Sequence, residues 1–309
     1  MIKYILRRIL FVIPVLVAVT FIIFSLLHFS AADPARLILG EQAEGDQIER
    51  LREEMGLNDP FLEQYYRYAS SVFFEGDLGR SYLTNRPVNQ EISFRFPNTI
   101  KLAISGIIIA VIVGVPLGII SATRQNTIVD NLSMSFALVG VSMPIFWLGI
   151  LLILLFSVNL GWLPSSGYST WQHMIMPAIA LGTGSAAIIA RMTRSSMLEV
   201  YRQDFIRTAR AKGVREFYVV NKHALRNALI PVITVIGLQF GFLLGGAVIT
   251  ETIFTIPGIG SMIVQGIRQR DMMIVQGGVL LIAMTFTIIN LIVDIFYGFL
   301  DPKIREQFK

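Results

Sequence analysis

The chain has 309 residues, 54% of them hydrophobic and 15% charged, with a net charge of +5 and a mean hydropathy of +0.63. An ordinary soluble chain is about 45–50% apolar and about 25% charged; here the excess gathers in runs of about 20 residues, enough to cross roughly 30 Å of hydrocarbon. That excludes a soluble enzyme, a nucleic-acid-binding protein, a disordered chain and an outer-membrane barrel with its alternating strands, and the lack of cysteine excludes disulfides, thiolate metal sites and cysteine nucleophiles.

The pattern predicts six spans, at 9–29, 99–122, 132–160, 173–190, 227–250 and 274–300. Each must be helical, because lipid cannot satisfy an open backbone. The first follows Lys3, Arg7 and Arg8, and Ser30-Ala31-Ala32 offers a peptidase site. Its apolar run nevertheless exceeds the about 7–15 residues of a signal core, so it reads as a retained helix. Residues 30–98 carry seven basic and twelve acidic side chains, a net of −5. Their apolar positions, from Ile48 through Leu51, Met55, Phe61 and Tyr65 to Tyr68, follow a helical period. A small, mostly helical subdomain is expected there. The fourth span is the weakest, diluted by Gly182, Thr183, Gly184 and Ser185.

Loop charge orients the spans. Residues 191–226 hold nine basic and three acidic side chains, a net of +6, whereas 161–172 hold none. Under the positive-inside rule the basic loop is cytosolic and 30–98 lies outside. The fold class is thus an all-α polytopic membrane protein with six transmembrane helices and an extracytoplasmic subdomain after the first. Its regions are 1–29, 30–98, a core at 99–300 and a cytosolic tail at 301–309, where Lys303, Arg305 and Lys309 fit the same topology.

Ionisable residues within spans usually mark ion or proton pathways. Here Asp294 stands out, four residues after Asn290 and on the same helix face. An interhelical hydrogen bond holding the bundle is the plainer role for this pair. Lys101 and Glu251 lie at outer edges, within reach of water. Small residues at helical spacing, Gly114/Gly118 and Gly237/Gly241/Gly245, read as helix-packing positions. Pro116, Pro144 and Pro177 should kink their helices. His28, His173 and His223 lie far apart without ligand spacing. No metal, cofactor or catalytic site is expected.

The basic loop is the most informative segment. Ile206, Ala209, Gly213 and Phe217 recur at intervals of three and four, making one apolar face of a short helix at 204–217. Arg207, Arg210 and Arg215 decorate the rest, and Ala209, Ala211 and Gly213 keep the surface narrow enough to enter a partner's cleft. From the pattern alone, anionic lipid, a topology signal and a cytosolic partner remain open. A self-sufficient carrier or channel, or a membrane enzyme, also stays in view, although inverted repeats and clustered catalytic residues are not evident.

RTARAKG at 207–213 resembles the EAA-loop signature of binding-protein-dependent ABC importer permeases, in its peptide-family form. Arg207 stands where the general signature has glutamate and Thr208 where it has its first alanine. HALRNALIP at 223–231 is similar to the peptide-importer form, with Arg226 where many relatives have proline. In order along the chain, RRILFVIPVL (7–16), ADPARLI (32–38), GLNDPFLEQY (56–65), GDLGRSY (76–82), VPLGII (115–120), SMPIFWLGILL (142–152), LGWLP (160–164), GLQFGFLLGG (237–246), ETIFTIPGIG (251–260) and DPKIR (301–305) extend the likeness. It is greatest to the first permease of dipeptide, oligopeptide and glutathione importers, and nickel-chelate importers share the architecture.

The resemblance implies a subunit of the bacterial cytoplasmic membrane, with both termini cytosolic. It implies a second homologous permease, two ATP-binding subunits and an extracytoplasmic solute-binding protein as partners. The chain carries no GxxxxGK[ST] loop, so ATP hydrolysis is expected on those separate subunits. By the same resemblance Asp204, Arg207, Thr208, Ala209, Arg210, Ala211, Gly213 and Phe217 form the coupling surface, while 30–98 and 251–270 face the solute-binding protein.

Overall fold

The computed structural model describes residues 2–29, 33–40 and 42–300. Ser30-Ala31-Ala32 and the tail at 301–309, with its expected basic residues, lie outside the described residues. The chain is all-α and polytopic, as its composition predicts. In order come α1 (Ile2–His28), α2 (Pro34–Leu39), α3 (Gly45–Glu54), α4 (Phe61–Ser70), α5 (Val88–Thr123), α6 (Ile128–Ser142), α7 (Ile145–Leu152), α8 (Gln172–Tyr201), α9 (Asp204–Ala211), α10 (Glu216–Tyr218), α11 (Leu225–Ile253), α12 (Ile259–Gln269) and α13 (Met272–Leu300). Short π-helical turns follow α4, α7 and α10. Among the described residues the only extended pairing is an isolated bridge between Arg80 and Pro87.

Five helical stretches are long and apolar enough to cross a membrane, and a sixth arises only if α6 and the segment Ile145–Asn159 count as one. The span expected at 132–160, with a kink at Pro144, is in the structure a pair of helices bent by 101°. Pro144 is the cause: it has no N–H to donate and pushes Met143 into extended backbone (φ −77°, ψ 124°), which ends α6. The helix expected at 99–122 starts earlier, at Val88. Its first turns bury Val88 and Ile92 against α12 and α13, an amphipathic contact that an apolar-run criterion does not register.

The α5–α8 pair forms the centre, with α11 and α6 against it, α13 against α11, and α1 outermost against α13. Small residues set this order. A Cβ added to Gly182 would meet the Gly106 carbonyl oxygen at 2.4 Å, and one on Gly114 the Ala186 carbonyl oxygen at 2.5 Å. One on Gly118 would meet Thr193 Cβ at 2.5 Å. The backbones touch, as in small-xxx-small crossings. The weakest expected span is consequently the most buried one.

Two of the three α11 glycines also pack helices. Gly237 and Gly241 face Val293 and Phe286 of α13, whereas Gly245 has nothing within 4 Å and lies on an exposed face. Asn290 sits on α13 with a buried Oδ1 that finds no hydrogen-bond partner, one turn before the half-buried Asp294.

The segment between α1 and α5 packs on one end of the bundle. Phe24 of α1 contacts Phe61, Tyr65 and Tyr68 of α4 with ring centroids 5.6 Å apart in each case, and Tyr65 Oη lies 3.1 Å from Thr20 Oγ1. The Arg80–Pro87 turn is pinned from below: Ser81 Oγ donates to Asp271 Oδ2 at 2.5 Å and Tyr82 N to Oδ1 at 3.3 Å.

Candidate coupling surface

The α9 helix is short, so its stability must come from tertiary packing rather than propensity. Ile206 is fully buried and Ala209 nearly so, in a cluster with Ala122 at the end of α5, Met197 of α8, and Val219, Ala224 and Ala228 on the way into α11. One apolar stripe thus sets α9 into a cluster that the ends of three spans share. Asp204 in the first turn and Arg210 in the last complement the helix dipole. Thr208 Oγ1 donates back to the Asp204 carbonyl at 3.0 Å.

Gly213 ends the helix. Its φ of +74° is the left-handed conformation that favours glycine, and its N–H reaches the Arg210 carbonyl at 2.9 Å while Val214 N reaches that of Ala209 at 3.3 Å. The expected continuous helix at 204–217 is corrected here. Because the chain turns at Gly213, the count of three and four cannot run through it, and Phe217 does not share the buried face. It stands on α10 and is 70% exposed, beside the exposed Tyr218.

Arg210 is exposed, as expected of the loop surface, and it is also paired. Its Nε and Nη2 donate to Glu216 Oε2 and Oε1 at 3.1 and 2.7 Å, and its guanidinium lies 5.5 Å from the Tyr201 ring centre. The Glu216 hydrogen bonds raise its pKa further above the usual value, against a smaller opposing effect of burial. Arg210 is a brace between α8, α9 and α10. Asp204, Phe205, Arg207, Thr208, Ala211 and Phe217 are exposed beside it. Arg207 reaches Asp204 at only 3.8 Å, with both side chains largely in solvent, a pairing of little energetic value.

Two buried polar centres escaped the sequence reading. Near α9, Asp130 (2% exposed) accepts Arg194 Nε at 2.9 Å and Nη2 at 2.8 Å, the Asn126 N–H at 3.0 Å and the Ser121 hydroxyl. This fork joins the end of α5, the start of α6 and α8. The Thr127-x-x-Asp130 capping pattern was its available signal. At the opposite end of the bundle, Glu251 is completely buried rather than in reach of water. It accepts Thr99 Oγ1 at 2.6 Å and the Ser261 N–H at 2.9 Å, while Ile259 N donates to Thr99 Oγ1 at 2.8 Å. A carboxylate from the end of α11, set against the first turn of α12, satisfies N–H groups that a helix start leaves unpaired. Lys101 is exposed, as expected of its edge position.

The chain's relatives point the same way as its architecture. Residues 114–306 match the model of the binding-protein-dependent transport system inner membrane component, and residues 1–103 match that of its N-terminal part. The glutathione transport system permease protein GsiC of Escherichia coli O6:H1 is 47% identical over 99% of this chain and all of its own length. The dipeptide transport system permease protein DppB of Alkalihalophilus pseudofirmus is 48% identical over 99% of this chain and all of its own. Among solved structures, the inward-facing MetNI methionine ABC transporter matches with a TM-score of 0.59 at 17% identity, over 69% of this chain and 97% of its own, a likeness of fold. This chain belongs to the family of binding-protein-dependent transport system inner membrane components.

Proposed function

We propose that the protein is one of two permease subunits of an ATP-driven importer carrying di- and oligopeptides, glutathione among them, across the bacterial cytoplasmic membrane. Two ATP-binding subunits hold the hydrolytic chemistry and an extracytoplasmic solute-binding protein delivers substrate. The basic 191–226 loop faces the cytosol, as do both termini, and residues 30–98 and 251–270 face the delivery protein. The core at 99–300 carries the pathway.

The seating of α9 carries this reading. Buried Ile206 and Ala209 fix it to the ends of α5, α8 and α11, while its other face offers Phe205, Arg207, Thr208 and Ala211 to a partner. A push on that face moves three spans together. Differential binding of ATP to two conformations supplies the energy, since a loop movement has none of its own.

The test is peptide-stimulated ATP hydrolysis by the assembled complex in liposomes. Phe205→Asp with Arg207→Glu alters only the outward face and should abolish stimulation. Gly213→Val, which forces a β-branched residue into left-handed backbone, should act similarly. The isolated ATP-binding subunits should hydrolyse ATP unchanged. Full transport without any ATP-binding subunit would overturn the proposal in favour of a carrier.

A further inference from the structure

A cavity of about 590 Å³ lies between the α1–α5 segment and the bundle, walled by the end of α1, the α3–α4 layer, the turn after α4 and the first turns of α13. Its volume falls within the about 300–1,000 Å³ of small-molecule sites. Gln276 of α13 lines it, 4% exposed, with an Oε1 that has no hydrogen-bond partner. An unpaired buried carbonyl is costly, so the site asks for a donor. Tyr68 and Tyr82 add phenols to the lining. Burial pushes Tyr68 up to about 12 and raises Tyr82 likewise, so both remain protonated donors.

Charge narrows the ligand. The lining holds two carboxylates, Asp33 and Asp77, and two guanidinium groups, those of Arg52 and Arg67. Arg52 and Asp33 close on each other at 2.6 Å. Arg67 spends only Nη2, on the Gly56 carbonyl and Asp59, and Asp77 spends only Oδ1, on the Gly79 N–H. One guanidinium edge and one carboxylate oxygen therefore remain for a ligand bearing both signs. Met55, Met272 and Met273 share the apolar lining with Phe24, Leu27 and Leu78, and methionine adapts to side chains of differing shape.

We propose that this cavity binds a small zwitterionic peptide, its ammonium towards Asp77 and the Gln276 carbonyl, its carboxylate towards Arg67, and its side chain among the methionines. It is a resident peptide site within this subunit, apart from α9 and from any passage between permeases. The proposal rests on the peptide-import reading and adds a location that reading does not require.

The test uses the assembled complex in nanodiscs without the solute-binding protein, and a dipeptide probe, alanyl-p-benzoylphenylalanine, whose photolysis marks nearby methionines. Peptide mapping of the unaltered complex should place the adduct on Met272, Met273 or Met55, and excess alanyl-phenylalanine should suppress it. Gln276→Met, which keeps the volume and removes the acceptor, should weaken the competing dipeptide about threefold to tenfold. Adducts found only elsewhere, or a Gln276→Met complex competed as well as the unaltered one, would overturn the site. Mapping of the unaltered complex decides even if the variant does not assemble. Peptide-stimulated ATP hydrolysis with the delivery protein, measured alongside, separates the two failures: stimulation without an adduct in the cavity removes only this inference, while no stimulation by any peptide removes the import reading itself.

Discussion

α1 and α8 have opposite compositions and opposite places. α1 is the most apolar of the spans and the least buried, with Leu10, Phe11, Ile22 and Leu26 all exposed. α8 is the least apolar and the most buried, because Gly182, Ala186 and Ala190 let α5 approach to backbone contact. In water this would be paradoxical. In lipid the apolar face gains nothing by leaving hydrocarbon, and helices associate through close packing and polar contacts instead. Hydropathy marks what crosses the membrane, and small residues mark what lies at the centre.

The sharpest way to break that comparison is to fill the α5–α8 contact. Gly118→Leu, with its Cβ already at 2.5 Å from Thr193 Cβ and 2.6 Å from the Ala190 carbonyl oxygen, should destabilise the subunit by about 3 kcal/mol or more. Loss of folded chain from membranes in a fluorescence size-exclusion assay would read this out. Ile22→Ala on the exposed face of α1 should stay within about 0.5 kcal/mol. Equal effects at the two positions would mean that apolar exposure, not close approach, orders the bundle.

Smaller is the effect at the polar end of the same crossing. Asp130→Asn leaves Arg194 without its bidentate partner, and because that side chain is 28% exposed the cost is discounted to about 2 kcal/mol. The double change Asp130→Leu/Arg194→Met should recover most of it in a thermal melt of the complex. Stability alone would then be restored, while coupling should remain impaired if the fork also fixes how α8 follows α9. That readout separates a brace from a relay.

How much of this was legible in the chain depends on the length scale of the signal. The apolar spans and the Ile206–Ala209 part of the α9 stripe are local periodicities, and the structure keeps them, apart from the bend at Pro144. Arg194 and Asp130 lie 64 positions apart, and Glu251 meets Thr99 across 152, so no window of sequence joins them. Gly213 misled for a local reason: its left-handed backbone resets the helical count, and Phe217 was placed on a face that had already ended. Gly182 misled for a global one, since dilution of apolar character and burial at a helix crossing look alike until the facing backbone is known.

The small helical layer between α1 and α5 offers the mildest perturbation, because its charges sit near water. Burial by itself would raise the Asp33 carboxyl, yet the Arg52 hydrogen bond and charge, the Ala35 N–H and Arg36 together hold it below the ordinary value. A carboxyl depressed in the folded state contributes stability that is fully present above its unfolded pKa and is lost as pH falls through the folded one. The contact should therefore be intact at neutral pH and disappear only below the usual aspartate range. The measurement is the melting temperature of the complex in detergent between about pH 7 and about pH 3. Asp33→Asn should flatten the acid limb of that profile slightly while leaving α5–α8 unfolding unchanged. A variant that instead shifts the neutral-pH melt as far as Gly118→Leu would place this layer, rather than the small-residue crossing, at the root of the fold's stability.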